Sequence, residues 1–343
     1  MTLTQNTASR KKKARPVDRP TAVWPGSDLL DGKPVDSLTI IFCTTGCYWG
    51  MGDGCTMCGY INDSADSPPL DDDLLAQLDH AAAKSSPKTS LIKIFTSGSF
   101  FDQKEISQPA RKRILETIGE MGTVKKVVAE TRPEFVTDER LIDTLNVLDR
   151  YDIRFEIAMG LETSSDTIRK DCINKGFTFD DFTRASKMAA DVGVTTKAYL
   201  LLKPPFLSEK TSVDDMLSSI SDTVPYASTI SLNLCNVQNG TLVEELHNRK
   251  DYRPPWLWSA VSVLKKAKDM FPYIIFMSDP VAAGSKRGPH NCGECDKEVA
   301  QVLRDFSISQ DLAILSDVDC QCYSLWEKVM ELEDNAYGSY LIK

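Results

Sequence analysis

FCTTGCYWGMGDGCTMCGY, residues 42–60, follows directly on the apolar run SLTIIF at residues 37–42. Seven residues separate Cys47 from Cys55, and two separate Cys55 from Cys58. Soft thiolates gathered in one loop suit an iron-sulfur cluster, and three ligands on a four-iron cluster leave one iron open for a small molecule. The alternative is a four-cysteine zinc knot. Cys43 is read as the end of the preceding strand, because no cysteine sits three positions after Cys47 to complete a second tight spacing.

The chain has 343 residues, 42% hydrophobic and 26% charged, enough for one large domain with an appendage or for two domains. Ten cysteines are few for a disulfide scaffold of this length, and most fall in two close-set groups. Metal binding in a reducing compartment explains them better. No run reaches the ~18 apolar residues of a membrane span, and the first residues lack an apolar signal core, so the expected location is cytoplasmic, with no membrane partner. A net charge of −9 argues against a whole surface devoted to nucleic acid. Local contact remains open to the basic stretch RKKKARPVDRP, Arg10 to Pro20, as an arm or a solvated tail.

Outward from the cysteine loop, short apolar runs alternate with helical patterns, the mark of parallel strands joined by crossovers. After residues 37–42, strands are expected at 91–96, 126–131, 154–161, 195–202, 229–234 and 273–278. Helices are expected at 71–84, 108–121, from a cap at Asp138 onward, and at 180–190, 208–224 and 257–270. The expected class is α/β: a partial (β/α)6-type barrel over residues 37–280, a basic arm and lead-in over 1–36, and a C-terminal cysteine-rich extension over 281–343. Chemistry in such a barrel is expected after the strands' C-terminal ends.

The loops at those ends carry polar groups. TSGSFFD, 96–102, offers Ser97 and Ser99 hydroxyls around Gly98, which allows close backbone approach and suits the amino group of a methionyl moiety. Glu130 and Glu162 follow apolar strands on the same face. Lys203 ends the fifth strand, and Asn233, Asn236 and Gln238 lie at the end of the sixth, placed either to read a base edge or to stitch loops together. Further on, Cys292-x-x-Cys295 and Cys320-x-Cys322 converge if the helix expected near 298–306 folds back. Four thiolates then close a structural zinc shell, with His290 as the alternative to one cysteine.

The strand and cysteine loop, with TSGSF (96–100), ETRPE (130–134) and GLETSSDTIR (160–169), resemble the radical SAM barrel shared with the Elongator catalytic subunit and the methylthiotransferases. The cysteine spacing departs from that superfamily's common three-then-two pattern and makes this a long variant. KAYLLLKPPFLSEKTSVDDM (197–216), YRPPWLWS (252–259) and GPHNCGEC (288–295) resemble a narrower group, the archaeal radical SAM proteins of archaeosine biosynthesis (RaSEA), nearly end to end.

The superfamily resemblance implies that Cys47, Cys55 and Cys58 hold a [4Fe-4S] cluster. Its open iron would chelate S-adenosylmethionine, oriented by Ser97, Gly98, Ser99, Glu130 and Glu162, with Arg169 a weaker candidate for its carboxylate. The narrower resemblance implies a tRNA substrate whose D-loop 7-cyano-7-deazaguanine nucleotide already carries lysine, and radical-initiated C–N cleavage to archaeosine. It also implies an archaeosine synthase partner that attaches the lysine, and an electron donor. Two other readings are a radical SAM enzyme acting on another tRNA position or a small metabolite, and a non-catalytic binding protein whose cysteine groups both hold zinc.

Overall fold

The computed structural model describes residues 16–332. Residues 10–15 of the basic stretch lie outside that span. Eight strands form one sheet in chain order: β1 (Ala22–Leu30), β2 (Lys33–Ile41), β3 (Leu91–Phe95), β4 (Lys126–Thr131), β5 (Arg154–Glu162), β6 (Thr195–Leu202), β7 (Thr229–Leu234) and β8 (Ile275–Met277). β1 and β2 are antiparallel, and every later pair is parallel.

Six of the seven parallel strands agree with expectation to within a few residues. The seventh, β8, shrinks to three residues. β1 is the strand that the sequence reading passed over, so the sheet begins within the stretch taken as a lead-in. Pro25 and Gly26 interrupt its apolar pattern, and both are tolerated because β1 is an edge strand. The hairpin turns on Asp31 and Gly32, both at positive φ (53° and 72°), the two-residue geometry that suits the sheet's twist.

Side-chain alternation divides the sheet's faces. Leu38, Ile40, Ile92, Ile94, Val127, Ile157, Met159, Ala198, Leu200, Ile230 and Leu232 point one way into a single core shared with the helices. The opposite face mixes charge pairs with a small apolar cluster of Leu91, Val128 and Ala158. Asp28 pairs with Lys93 at 2.5 Å, Lys126 pairs with Glu156 at 2.7 Å, and the Lys197 ammonium lies over the Tyr199 ring at 5.3 Å. A face that carries charge pairs, opposite a helix-covered one, is what a sheet curled around an interior requires.

Capping hydroxyls start the outer helices. Ser107 accepts from the Ala110 N–H, Thr178 from Asp181 and Ser208 from Thr211. The helix Asp138–Leu148 is capped by Thr137, which accepts from the Arg140 N–H, and Asp138 is its first residue instead of its cap. The helix Asp296–Ser309 packs against β8 and also touches β1 and β2, so it bridges the open side of the sheet. Among the described residues no helix is long and apolar enough to cross a membrane.

Candidate metal centre and cofactor cradle

The cysteine loop leaves β2 at Phe42, whose N–H still pairs with the Phe95 carbonyl. Cys43 is buried beside Gln77, whose side chain accepts its N–H at 2.8 Å. Cys47 opens the short helix Tyr48–Met51. The long spacer after it is docked on a distant segment. The Trp49 indole N–H donates to the Asn174 carbonyl at 2.7 Å, Asn174 Nδ2 to the Gly54 carbonyl at 2.7 Å, and the Thr56 N–H to Ile173 at 2.9 Å. The Thr56 hydroxyl donates to the Cys172 carbonyl at 2.6 Å.

That segment can receive the loop because Arg169–Ile173 form one π turn and Asn174 turns left-handed at φ 57°. A Cβ at Gly176, itself at φ 80°, would fall 2.7 Å from the Trp49 ring. At the loop's other end, Met57 packs on the cluster of Leu201, Cys235, Val237, Val243 and Tyr252. The Gly59 N–H donates to Gln238 Oε1 at 2.6 Å. Of the two roles expected for Gln238, the structure displays loop stitching.

Cys55 and Cys58 share a turn, the Cys58 N–H donating to the Cys55 carbonyl at 3.2 Å, and both lie near enough to Cys47 to feel its charge, although the three sulfurs are not gathered as tightly as the C-terminal four. Burial pushes the Cys58 thiol up to about 12, opposed by the Tyr60 backbone N–H, and burial raises Cys55 as well. Such thiols ionise when a metal replaces their protons.

The β3 loop is pressed against this site. A Cβ on Gly98 would lie 2.7 Å from Cys47 Cα and 2.1 Å from Glu105 Oε1. Glu105, which no sequence motif marked, ties the two loops together by accepting from the Thr44 hydroxyl and the Ser99 N–H, each at 2.6 Å. Burial pushes its carboxyl up to about 7. The Ser99 hydroxyl is fully buried and shared with Thr131 at 2.7 Å, and Ser97 reaches the Tyr60 carbonyl at 3.4 Å. Gly98→Ala is therefore expected to cost about 1–3 kcal/mol by overpacking and to lower iron bound per chain after reconstitution. A melting curve and an iron assay check it, and wild-type values in both would refute the contact's importance.

Glu130, at the end of β4, makes no side-chain hydrogen bond among the described residues. Burial pushes its carboxyl up to about 8, with Glu162 and Glu105 adding to the shift and Lys175 opposing it. Glu162 ends β5 at a register shift, with φ 67°, and pairs with Lys175 at 2.7 Å. Arg132 stands over the rings of Tyr48, Trp49 and Phe177 at 5.4, 6.0 and 5.3 Å, bonds Glu134 at 2.5 Å and donates to the Lys175 carbonyl at 3.0 Å. Arg169 is buried, and its guanidinium is occupied by the carbonyls of Leu161 and Thr163 and by Asp166.

Among the substrate candidates, Lys203 is buried in an ion pair with Glu209 at 2.8 Å. The Asn233 side-chain Oδ1 accepts from the Ser231 hydroxyl at 3.4 Å, and the Asn236 side chain makes no hydrogen bond among the described residues.

At the C-terminal end, Cys292, Cys295, Cys320 and Cys322 bring their sulfurs within 4.8 Å of one another. Individual separations are 3.9 Å (Cys292–Cys295), 3.8 Å (Cys292–Cys320) and 3.6 Å (Cys295–Cys322). A tetrahedron of thiolates about 2.3 Å from zinc has edges of about 3.8 Å. Two N–H donors point at the sulfurs: Trp258 Nε1 at 3.2 Å from Cys322, and Asn291 Nδ2 at 3.3 Å from Cys295. Outer donors of this kind orient metal-bound thiolates. His290 is not in the group, and its Nδ1 meets the Gly288 carbonyl at 2.8 Å.

No protein-family model matches the chain. The archaeosine synthase subunit beta of Methanosarcina acetivorans is 52% identical over 97% of this chain and 96% of its own length. The archaeosine synthase subunit beta of Thermococcus kodakarensis is 40% identical over 90% of this chain and 96% of its own. Among solved structures, a queuine lyase from Clostridium spiroforme bound to SAM and queuine aligns with a TM-score of 0.47 at 18% identity, covering 66% of this chain and 91% of that one. A likeness of that size supports no inference about the site.

Proposed function

Because the chain belongs to the archaeosine synthase subunit beta family, we propose that it is the radical SAM subunit of an archaeosine-forming tRNA modification enzyme. The observation that carries this reading is the near full-length likeness to two archaeosine synthase beta subunits, together with the placement of Cys47, Cys55 and Cys58 in the loop that leaves β2 at the C-terminal end of the parallel strands. The donor set fits a [4Fe-4S] cluster: three thiols in one loop, held against the β3 loop at Gly98, where a Cβ would strike Cys47, with the Glu130 carboxyl nearby.

When bound, the cluster supplies the electron that cleaves S-adenosylmethionine and so the 5′-deoxyadenosyl radical. The chain's own residues hold and orient. Gly98 and Glu105 keep the β3 loop against Cys47, and with the Gly98 N–H taken by the Thr96 hydroxyl the carbonyls of Ser97 and Gly98 are the groups offered to the cofactor's methionyl end. Glu130 offers a free acceptor for its amine, and Glu162 is kept at the site by Lys175. Arg169 serves by fixing the end of β5, with its guanidinium engaged there. Asn236 and Asn233 face the substrate, because Gln238 is committed to Gly59 and Lys203 to Glu209.

The substrate is tRNA whose 7-cyano-7-deazaguanine nucleotide carries lysine through its side-chain nitrogen. Hydrogen abstraction beside that nitrogen leads to C–N cleavage, the base keeping the nitrogen as a formamidine and the lysine carbon skeleton leaving as a separate co-product. The word subunit in the relatives' names supports a partner. We assign to it the attachment of lysine and much of the RNA contact that a chain of net charge −9 lacks. An electron donor completes the system, a cytoplasmic setting suits its reduced thiols, and the four C-terminal thiols hold structural zinc.

The test is to incubate anaerobically reconstituted protein with reductant, S-adenosylmethionine and lysine-adducted tRNA, quantifying 5′-deoxyadenosine and nucleosides by mass spectrometry. Both 5′-deoxyadenosine and archaeosine are expected. 5′-Deoxyadenosine alone would retain the radical chemistry and reject the substrate, and neither product from cluster-loaded protein would reject the reading.

A further inference from the structure

Resting on that reading, we propose that Lys197 recognises the lysyl tail of the substrate, its ammonium receiving the α-carboxylate at the end remote from the carbon that loses hydrogen. Lys197 lies on the interior face of the sheet. Strand register sets Glu130, Ala158 and Lys197 in one row across β4, β5 and β6, and neighbours in a row project to the same side. Two strand spacings put the Lys197 backbone about 10 Å from that of Glu130, the acceptor assigned to the cofactor's amine. An extended lysyl chain and the Lys197 side chain together cover that distance.

The other lysines at this face and its rim already hold an acid. Lys93 pairs with Asp28 at 2.5 Å, Lys126 with Glu156 at 2.7 Å, Lys175 with Glu162 at 2.7 Å and Lys203 with Glu209 at 2.8 Å. Lys197, 7% exposed, makes no ion pair among the described residues. Its ammonium meets the Met277 sulfur at 3.4 Å and lies 5.3 Å from the centre of the Tyr199 ring. Neither contact neutralises it, and a buried cation without a counter-charge is a ready seat for a carboxylate. Burial lowers its pKa, opposed at longer range by Asp28 and Glu156. The Thr39 hydroxyl, buried on the same face beside Lys93 in register, also has no hydrogen-bond partner among the described residues. With Asp28 and Glu156 committed, the face selects for the carboxylate of the tail and not for its ammonium.

The test compares tRNA carrying lysine with tRNA carrying cadaverine at the same base. Cadaverine is lysine without its carboxylate, and its adduct leaves the same nucleoside on cleavage. The kcat/KM for archaeosine is measured with both adducts on cluster-loaded wild-type and Lys197→Met proteins, alongside their affinity for S-adenosylmethionine. Wild type is expected to favour the lysine adduct about tenfold or more, the effect of one hydrogen bond to a charged group, and Lys197→Met to lose that preference while binding S-adenosylmethionine normally. A variant that merely loosened the barrel would slow both adducts and keep their ratio. Equal rates on the two adducts by wild type, or an undiminished preference in Lys197→Met, overturns the proposal. Weakened S-adenosylmethionine binding in Lys197→Met would give the ammonium to the cofactor's own carboxylate and overturn it as well. If Lys197→Met does not fold, Lys197→Gln is read by the same ratio. Cluster-loaded wild type that forms no archaeosine from the lysine adduct rejects the functional reading itself, and this inference with it.

Discussion

Cys58→Ala protein is expected to reconstitute without a stable four-iron cluster and to form neither 5′-deoxyadenosine nor archaeosine. A cluster held by three thiolates has no spare protein ligand, so loss of one frees an iron that the chain has nothing nearby to grip. Cys58 is also the most firmly placed of the three. Gly59 beside it is pinned to Gln238, Met57 is packed on the β6 and β7 ends, and the Tyr60 N–H points at its sulfur. The effect should be specific. Cys43→Ala and Cys172→Ala should retain iron, because Cys172 serves the loop through its carbonyl and Cys43 lies at the end of the strand. Iron and sulfide analysis with the EPR signal of the reduced protein checks all three variants. Full iron in Cys58→Ala, or iron lost from Cys43→Ala, would point to a different ligand set.

The second large effect is expected from the C-terminal thiols. Purified protein should carry about one zinc per chain, and Cys295→Ser should lose it and destabilise the fold by about 4 kcal/mol or more. Cys295 caps the helix Asp296–Ser309, while Cys322 leads into the helix Tyr323–Leu332, and both thiols are buried. Among its other ties, the second helix is held by packing and by the Trp326 indole bond to Ser259 at 2.8 Å, and without the ion these would have to resist the crowding of the sulfurs. Metal analysis, a melting curve and proteolysis of residues beyond 310 read the outcome. Unaltered zinc and melting in Cys295→Ser would refute the site.

Most of the parallel sheet was legible because each strand is an apolar run of four to eight residues bounded by helical periodicity, and those signals are local. β1 was not, since Pro25 and Gly26 break its pattern. Asp31-Gly32 before Lys33 was the available hint, a two-residue hairpin turn read as part of a lead-in. The two cysteine groups stood out by spacing, and of these the structure gathers the sulfurs of Cys292, Cys295, Cys320 and Cys322. The supports of the cysteine loop were not legible: Lys175, Arg132 and Glu105 acquire significance only through partners far away in the chain, such as Trp49 with Asn174 and Thr44 with Glu105. Lys203 looks from the sequence like a ligand contact because it is a cation at a strand end, and Arg169 because of the superfamily resemblance; only the fold reveals that Glu209 takes the one charge and Asp166 with the Leu161 and Thr163 carbonyls the other.

The bridging helix Asp296–Ser309 has a consequence for biosynthesis. It contacts both the first strands of the sheet and the last, so the two unpaired margins at β1 and β8 acquire their cover only after nearly the whole chain has been translated. Until then a nascent protein presents strand edges that can pair with other chains. Binding of zinc by the thiols at the very start of that helix would therefore be the closing event of maturation, and a shortage of the ion during synthesis would then be felt first as aggregation of newly made chains.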